Sequence, residues 1–303
     1  MTSFAKKREV QESFGDRLFM AFVYLVLSIV AVVMLYPILY TLSASISDPV
    51  AVNSGDLILL PKGFQLDGYR LILQNEWVLM GYRNSLFYTI FGTILNLIVT
   101  YMAAYALSRK HLYGKRLLST LFIIPMWFSG GLIPTFLVVL QIGLFNKPYT
   151  MLLIGLVSVY NTIICRTFLQ QLPEELSEAA RIDGCNDFRI MTSILLPLST
   201  PILAVLALYY GMGHWNDYFS SMIYLNERSY MPLQLFLREI LLMNAQIDMS
   251  GTTEELQDMA FRAYISQSMR YGLIVVASLP MLILYPFVQR YFVQGVMIGA
   301  LKG

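Results

Sequence analysis

Long apolar runs alternate with short polar interruptions along this chain. Six of them, roughly 18–42, 84–107, 117–140, 149–170, 199–224 and 271–293, are long and apolar enough to cross ~30 Å of hydrocarbon, which takes about 20 helical residues. The pattern predicts an all-α polytopic membrane protein with six transmembrane helices. The first run follows Lys6, Lys7 and Arg8 and precedes Ser43-Ala44-Ser45, as a signal peptide would. Its apolar stretch is about twice the usual signal core of 7–15 residues, so it reads as a retained anchor.

The third run, "FIIPMWFSGGLIPTF", places Pro125, Gly130, Gly131 and Pro134 inside one crossing. Proline removes a helical hydrogen bond and glycine loosens the backbone. Freed backbone groups at membrane depth survive only against protein or a water-filled cavity. Either a kinked helix packs on its neighbours here, or the kink lines a path. Two polar stretches, about 43–83 and 225–270, are punctuated by Pro and Gly and read as loops with short helices. Within the second, "TTEELQDMAFRAY" reads as an amphipathic surface helix.

Composition agrees with the pattern. Hydrophobic residues make up 57% of the chain and charged ones 13%, where a soluble domain carries about 25% charged. A net charge of +2 gives no footing for a nucleic-acid partner. Cys165 and Cys185 stand apart without a CxxC or a neighbouring His, which leaves no metal or redox motif. The placement of charge says more than its sum. With the N-terminus inside, thirteen of the 21 Lys and Arg fall on inner segments and eight on outer ones. The loop 108–116, "SRKHLYGKR", has four basic residues and no acid. Both termini and the stretch 173–197 are therefore expected in the cytoplasm.

Missing chemistry narrows the function. No GxxxxGK[ST] loop is present, so the chain cannot cradle ATP phosphates by itself. Ionisable residues at membrane depth, which ion-coupled transporters need, reduce to His214 and Asp217 near the outer end of the fifth run. The two histidines form no HExxH, and "WFSGG" lacks the upstream glycine of a GxSG protease. What the runs do hold is aromatic and amide character, which suits the C–H faces and hydroxyls of sugars. Asn96, Tyr101, Trp127, Tyr160, Asn161, Tyr209 and Tyr210 are candidates for a substrate path because of their depth. Trp215 and Asn216, in "GHWNDYF", serve either an interfacial aromatic belt or an outer gate.

The stretch after Pro173 has a clear local design. Proline followed by Glu174 and Glu175 starts a helix, with acids at its positive end. Leu176, Ala179, Ala180 and Ile182 give a narrow apolar stripe, and Glu178 and Arg181 are spaced to pair. Gly184 supplies a left-handed stop, Asn186 or Asp187 caps a second helical piece, and Phe188, Met191, Ile194 and Leu195 form its apolar face up to Pro197. Two helices this short have no core of their own. Their apolar face is buried either against the chain's own membrane helices or in a partner.

The order Glu178-Ala179-Ala180, then Asp183-Gly184, then Ile194 and Pro197, resembles the EAA loop of ABC importer permeases. Cys185 stands where a small alanine is usual and Met191 where an aromatic is common, and both stay small or apolar. The six runs, the long second and fifth-to-sixth connections and the closing "QRYFVQGVMIGALKG" are similar to carbohydrate-uptake permeases of the maltose-importer type. The likeness covers nearly the whole chain, and its branch resembles permeases for oligosaccharides derived from complex or uronic-acid polysaccharides.

That resemblance implies a type I ABC importer permease fold in the cytoplasmic membrane of a prokaryote, with a cytoplasmic segment 1–17 and a permease domain 18–303. The domain would include a coupling loop 173–197 and a tail 294–303. Glu178, Ala179, Ala180, Arg181, Asp183, Gly184, Ile194 and Pro197 would serve ATPase coupling, with Glu178 ion-paired to the ATPase and both alanines in its cleft. Gly299, Ala300, Leu301, Lys302 and Gly303 would reach into the ATPase dimer. The implied partners are a second permease in a heterodimer, two ATPase subunits, an extracytoplasmic solute-binding protein, the oligosaccharide and the bilayer. The chain itself would bind no cofactor; ATP and Mg would sit on the ATPase. A non-sugar cargo, or a passive channel or scaffold, are the rival readings.

Overall fold

The computed structural model describes residues 13–243 and 264–286, and no strand occurs among them. The first apolar run is the helix α1, Phe14–Ser45. Its most apolar 18-residue stretch has no buried residue, so it stands apart from the rest of the chain.

The second run, α2 (Glu76–Ser108), is the spine of the fold. Asn75 caps its start, its side chain accepting from Trp77 N at 3.0 Å and Val78 N at 3.2 Å. Gly81, Ser85, Tyr88, Gly92, Asn96, Thr100, Ala104 and Ser108 recur every three or four positions and all are buried. Phe87, Phe91, Ile94, Ile98 and Met102 lie exposed on other faces. This is the reverse of a soluble helix. Lipid is as apolar as leucine, so small and hydrogen-bonding residues make the protein contact and large apolar ones meet the acyl chains.

The third run breaks where Pro and Gly predict. Lys115–Trp127 (α3) and Leu132–Gln141 (α4) lie at 114°, with Gly131 at φ +86° in the connection. This is a much sharper turn than a kinked helix. The fourth run is also interrupted: a turn at Thr150–Leu153 ends before Gly155 at φ +74°, and α5 (Val159–Gln171) starts from Ser158. With 13 residues, α5 extends only ~20 Å at 1.5 Å per residue. After the helix α6 (Glu174–Ile182) and short turns, α7 (Thr200–Trp215) leaves the preceding segment at 82°. Beyond it come α8 (Leu233–Met243) and α9 (Tyr264–Pro286).

Among the described residues, three unbroken helices are long and apolar enough to cross a membrane, or up to five crossings if each bent pair counts once. The first and second expected runs and the described part of the sixth are unbroken helices, while the third, fourth and fifth are interrupted. Residues 1–12, the expected surface helix up to 263, the end of the sixth run and the tail 294–303 lie outside the described residues.

The core is built on α2, which packs most extensively along α7 and α5, and also against α8. One apolar cluster joins α2, α5, α6 and α7 at the end carrying loop 108–116. Another, around Trp215, Leu233 and Leu273, joins α7, α8 and α9 toward the opposite end. Trp215 Nε1 donates to Ala277 O at 2.8 Å and its ring meets Tyr82 edge-on at 5.6 Å. Trp215 is thereby fixed as a buried anchor between helices.

Candidate functional site

Residues 173–197 form a knob at the loop 108–116 end of the fold. Pro173 is the N-cap of α6, with Glu174 and Glu175 in its first turn. Gly184, at φ +80°, ends the turn; its N–H reaches Arg181 O at 3.0 Å and Cys185 N reaches Ala180 O at 2.9 Å. Asn186 caps the next piece, accepting from Arg189 N at 2.8 Å. The chain then runs through a π-helical segment, Ile190–Leu195, before Pro197. Arg181 pairs with Asp187 Oδ1 at 3.2 Å rather than with Glu178.

The knob's two faces have different fates. Ala180, Ile190, Met191 and Leu195 are buried against Tyr101, Ala104 and Tyr105 of α2 and Cys165 and Leu169 of α5. Tyr101 OH donates to Met191 O and Tyr105 OH to Asp187 O, each at 3.2 Å. Arg109 Nη1 donates to Ser177 Oγ at 3.2 Å, and Lys110 forms an ion pair with Glu174. The other face is open: Glu178, Ala179, Asp183, Gly184 and Pro197 are exposed, as are Ile182 (87%) and Phe188 (68%). Of the two alanines expected to meet a partner, Ala180 is therefore committed to the chain's own core. Ile194 is half-buried. Ile190 does not stand out in the sequence, where it sits one position off the expected stripe; the π-helical phase turns it inward.

A second polar constellation lies midway along α2. Asn96 Nδ2 donates to Gly155 O at 3.1 Å and Leu156 O at 2.8 Å, satisfying carbonyls freed by the break in the fourth run. That fixes Asn96 Oδ1 as the acceptor for His214 Nε2, 2.7 Å away, so Nε2 carries the proton. Four residues on, Thr100 Oγ1 and Tyr210 OH share a 2.6 Å hydrogen bond. A cavity of about 190 Å³ adjoins this seam, lined by Asn96, Met151, Ile154, Gly155, Tyr209, Tyr210, Gly213, His214 and Asp217.

Of the residues that the sequence offers for a substrate path, Asn96, Tyr209 and Tyr210 converge on this cavity. Tyr101 anchors the knob instead, Asn161 is buried in α5, and Asn216 lines a different, more apolar cavity with Trp215. Trp127 (78%) and Tyr160 (56%) are exposed on the chain's own surface. His214, Asp217, Gly155 and Gly213 join the cavity though none was a path candidate. The buried hydroxyls of Thr89 and Thr93 on α2 have no hydrogen-bond partner among the described residues, and Thr93 faces Gly211 of α7. Only their four-residue spacing on the small-residue face of α2 hinted at them.

Residues 4–298 match the family described as binding-protein-dependent transport system inner membrane component. The chain belongs to this family. This inner-membrane component is similar to the polygalacturonan/rhamnogalacturonan transport system permease protein YtcP of Bacillus subtilis, 36% identical over 289 residues that cover 95% of this chain and 99% of that protein. It is also similar to Protein LplC of Bacillus subtilis, 36% identical over 274 residues, 90% of this chain and 91% of that one. Among solved structures, it matches a chain in the crystal structure of a bacterial ABC transporter involved in the import of the acidic polysaccharide alginate. The TM-score is 0.84 at 32% identity, covering 94% of this chain and 100% of that chain.

Proposed function

We propose that this chain is one of two permease subunits of an ATP-driven importer that carries an acidic, uronate-containing oligosaccharide by alternating access. The relatives named for polygalacturonan/rhamnogalacturonan transport and for alginate import support that substrate class. In this reading the chain crosses the cytoplasmic membrane six times with both termini inside. A solute-binding protein delivers sugar from outside, and two ATPase subunits carrying ATP and Mg drive the cycle.

One observation carries the proposal: the knob is locked to α2 on one face and open on the other. Tyr101, Tyr105 and Arg109 tie it to α2, and the chain continues from it directly into α7. A push on Glu178, Ala179, Ile182 or Phe188 is thus passed as a rigid displacement to the two helices that carry the polar seam. Glu178 supplies the charge for an ion pair with the ATPase, and Asp183 and Gly184 shape the turn. The tail Gly299 to Gly303 reaches the ATPase dimer.

The test is uptake and ATPase coupling in Glu178→Lys and Gly184→Pro, with membrane insertion checked by immunoblot. Both variants are expected to reach the membrane, lose uptake and fail to stimulate the ATPase. Uptake surviving in both sinks the docking role. Failure of the chain to copurify with any ATPase favours a passive channel or scaffold.

A further inference from the structure

A second cavity of about 190 Å³ lies between loop 108–116 and the root of the knob. Arg109, Lys110, His111, Lys115, Arg181 and Glu174 line it. Lys110 is paired with Glu174, and Arg181 with Asp187. Glu174 is the one carboxylate among the lining residues, against Arg109, Lys110, Lys115 and Arg181, with Glu175 and Glu178 close enough for their charge to act on Lys110. Arg109 donates to the hydroxyls of Ser108 and Ser177 and lies over the ring of Tyr105, with no ion pair among the described residues. Lys115 has the carbonyl of Ser108 at 3.3 Å. Arg166, close enough for its charge to act on Lys115, bonds Ser119 Oγ at 3.4 Å, and its buried Nε has no partner among the described residues.

Arg109 and Lys115 in the lining, and Arg166 near Lys115, form no ion pair among the described residues, and like charges gathered at a partly enclosed site repel one another. A multiply accepting oxyanion relieves that repulsion. The surroundings say where that oxyanion comes from. Tyr113, in the same loop, is 97% exposed, and Leu117, Leu118 and Leu121 of α3 are exposed apolar residues immediately after Lys115. An amphipathic aromatic beside cations and an apolar wall is the composition of a membrane interface.

We propose that this cavity binds the phosphate of an anionic phospholipid headgroup, whose acyl chains run along the exposed leucines of α3. The lipid holds the loop, α5 and the root of the knob together from the membrane side. The inference rests on the proposed function only in placing the knob end of the fold at the membrane surface.

The assembled importer is moved into nanodiscs of phosphatidylcholine with and without phosphatidylglycerol, and retained phosphatidylglycerol is counted by native mass spectrometry during stepwise delipidation. Wild type is expected to hold phosphatidylglycerol, and Lys115→Gln with Arg166→Gln to weaken it roughly fivefold per cation removed. Lys115→Arg keeps wild-type retention. If the double variant fails to assemble, Lys115→Gln alone carries the comparison. Equal retention in wild type and the glutamine variants overturns the proposal. Displacement of the lipid from wild type by inorganic phosphate assigns the cavity to a free anion and overturns the lipid. Loss of the ATPase subunits with lipid retention unchanged assigns the cavity to the protein interface instead. Because retention is read without transport, an unexpected result for Glu178→Lys in uptake leaves this measurement intact.

Discussion

At the scale of single residues, the polar seam depends on the absence of one methyl group. A Cβ at Gly92 would lie 2.5 Å from His214 Nε2, closer than any real contact allows. Gly92→Ala must therefore displace the imidazole and break its bond to Asn96. Overpacking of this kind costs ~1–3 kcal/mol, and thermal unfolding of the purified chain in detergent is expected to show a loss of that order. Asn96→Leu removes the donor to Gly155 O and Leu156 O and orphans two carbonyls, at ~1–3 kcal/mol for each buried group left unsatisfied. Stability of either variant equal to wild type would mean that the seam does not hold α2, α7 and the broken fourth run together. The sequence marks Asn96 as a polar residue too deep for a belt, but not what it touches. Its partners His214 and Gly155 lie 118 and 59 positions away, and no local pattern encodes such a pairing.

At the scale of elements, the knob matters more for what anchors it than for its own helix. Tyr101→Phe and Tyr105→Phe each remove a hydroxyl that bonds the knob's backbone while leaving the aromatic packing. Each is expected to cost ~0.5–1.5 kcal/mol, the net worth of one hydrogen bond. The double variant is expected to hydrolyse ATP with reduced uptake per ATP, measured in proteoliposomes. The exposed Lys110–Glu174 pair makes the contrast. Lys110 holds the Glu174 carboxyl below its ordinary value, mainly through the hydrogen bond, so the pair exists above that value and is lost as pH falls through it. Solvent screens an ion pair so placed, and Glu174→Gln is expected to leave coupling unchanged. A larger effect from Glu174→Gln than from the tyrosine pair would reverse the assignment of what anchors the knob. Here the sequence is informative where physics is local: Gly184 as the left-handed stop, Asn186 as a cap, and the Pro/Gly break in the third run. It is silent on the split between Ala179 and Ala180, because which side of α6 meets α2 is decided by tertiary packing. The break at Gly155 is likewise hidden inside an apolar run.

At the scale of the whole molecule, this chain leaves much of its large apolar surface uncovered. The most apolar stretch of α1 buries nothing, and Trp127 and Tyr160 point outward rather than into the cavity that Asn96, Tyr209 and Tyr210 share. Exposure has two physical meanings in a membrane, lipid or a water-filled path completed by a second permease, and water access separates them. Cysteines placed at positions 160 and 209, in a chain with Cys165 and Cys185 replaced by alanine, are probed with a water-soluble maleimide in the assembled importer. Ile94→Cys and Ile98→Cys, on the exposed apolar face of α2, serve as the lipid-facing reference. Tyr160→Cys and Tyr209→Cys are expected to be labelled and the two reference positions to stay unreacted, because a charged reagent does not partition into hydrocarbon. Saturating uronate oligosaccharide is expected to slow labelling at 209, beside the cavity. If Tyr160→Cys reacts no faster than Ile98→Cys, Tyr160 meets lipid and the path narrows to the cavity between α2 and α7. That cavity lies between the two helices that, in the proposed function, the knob would move.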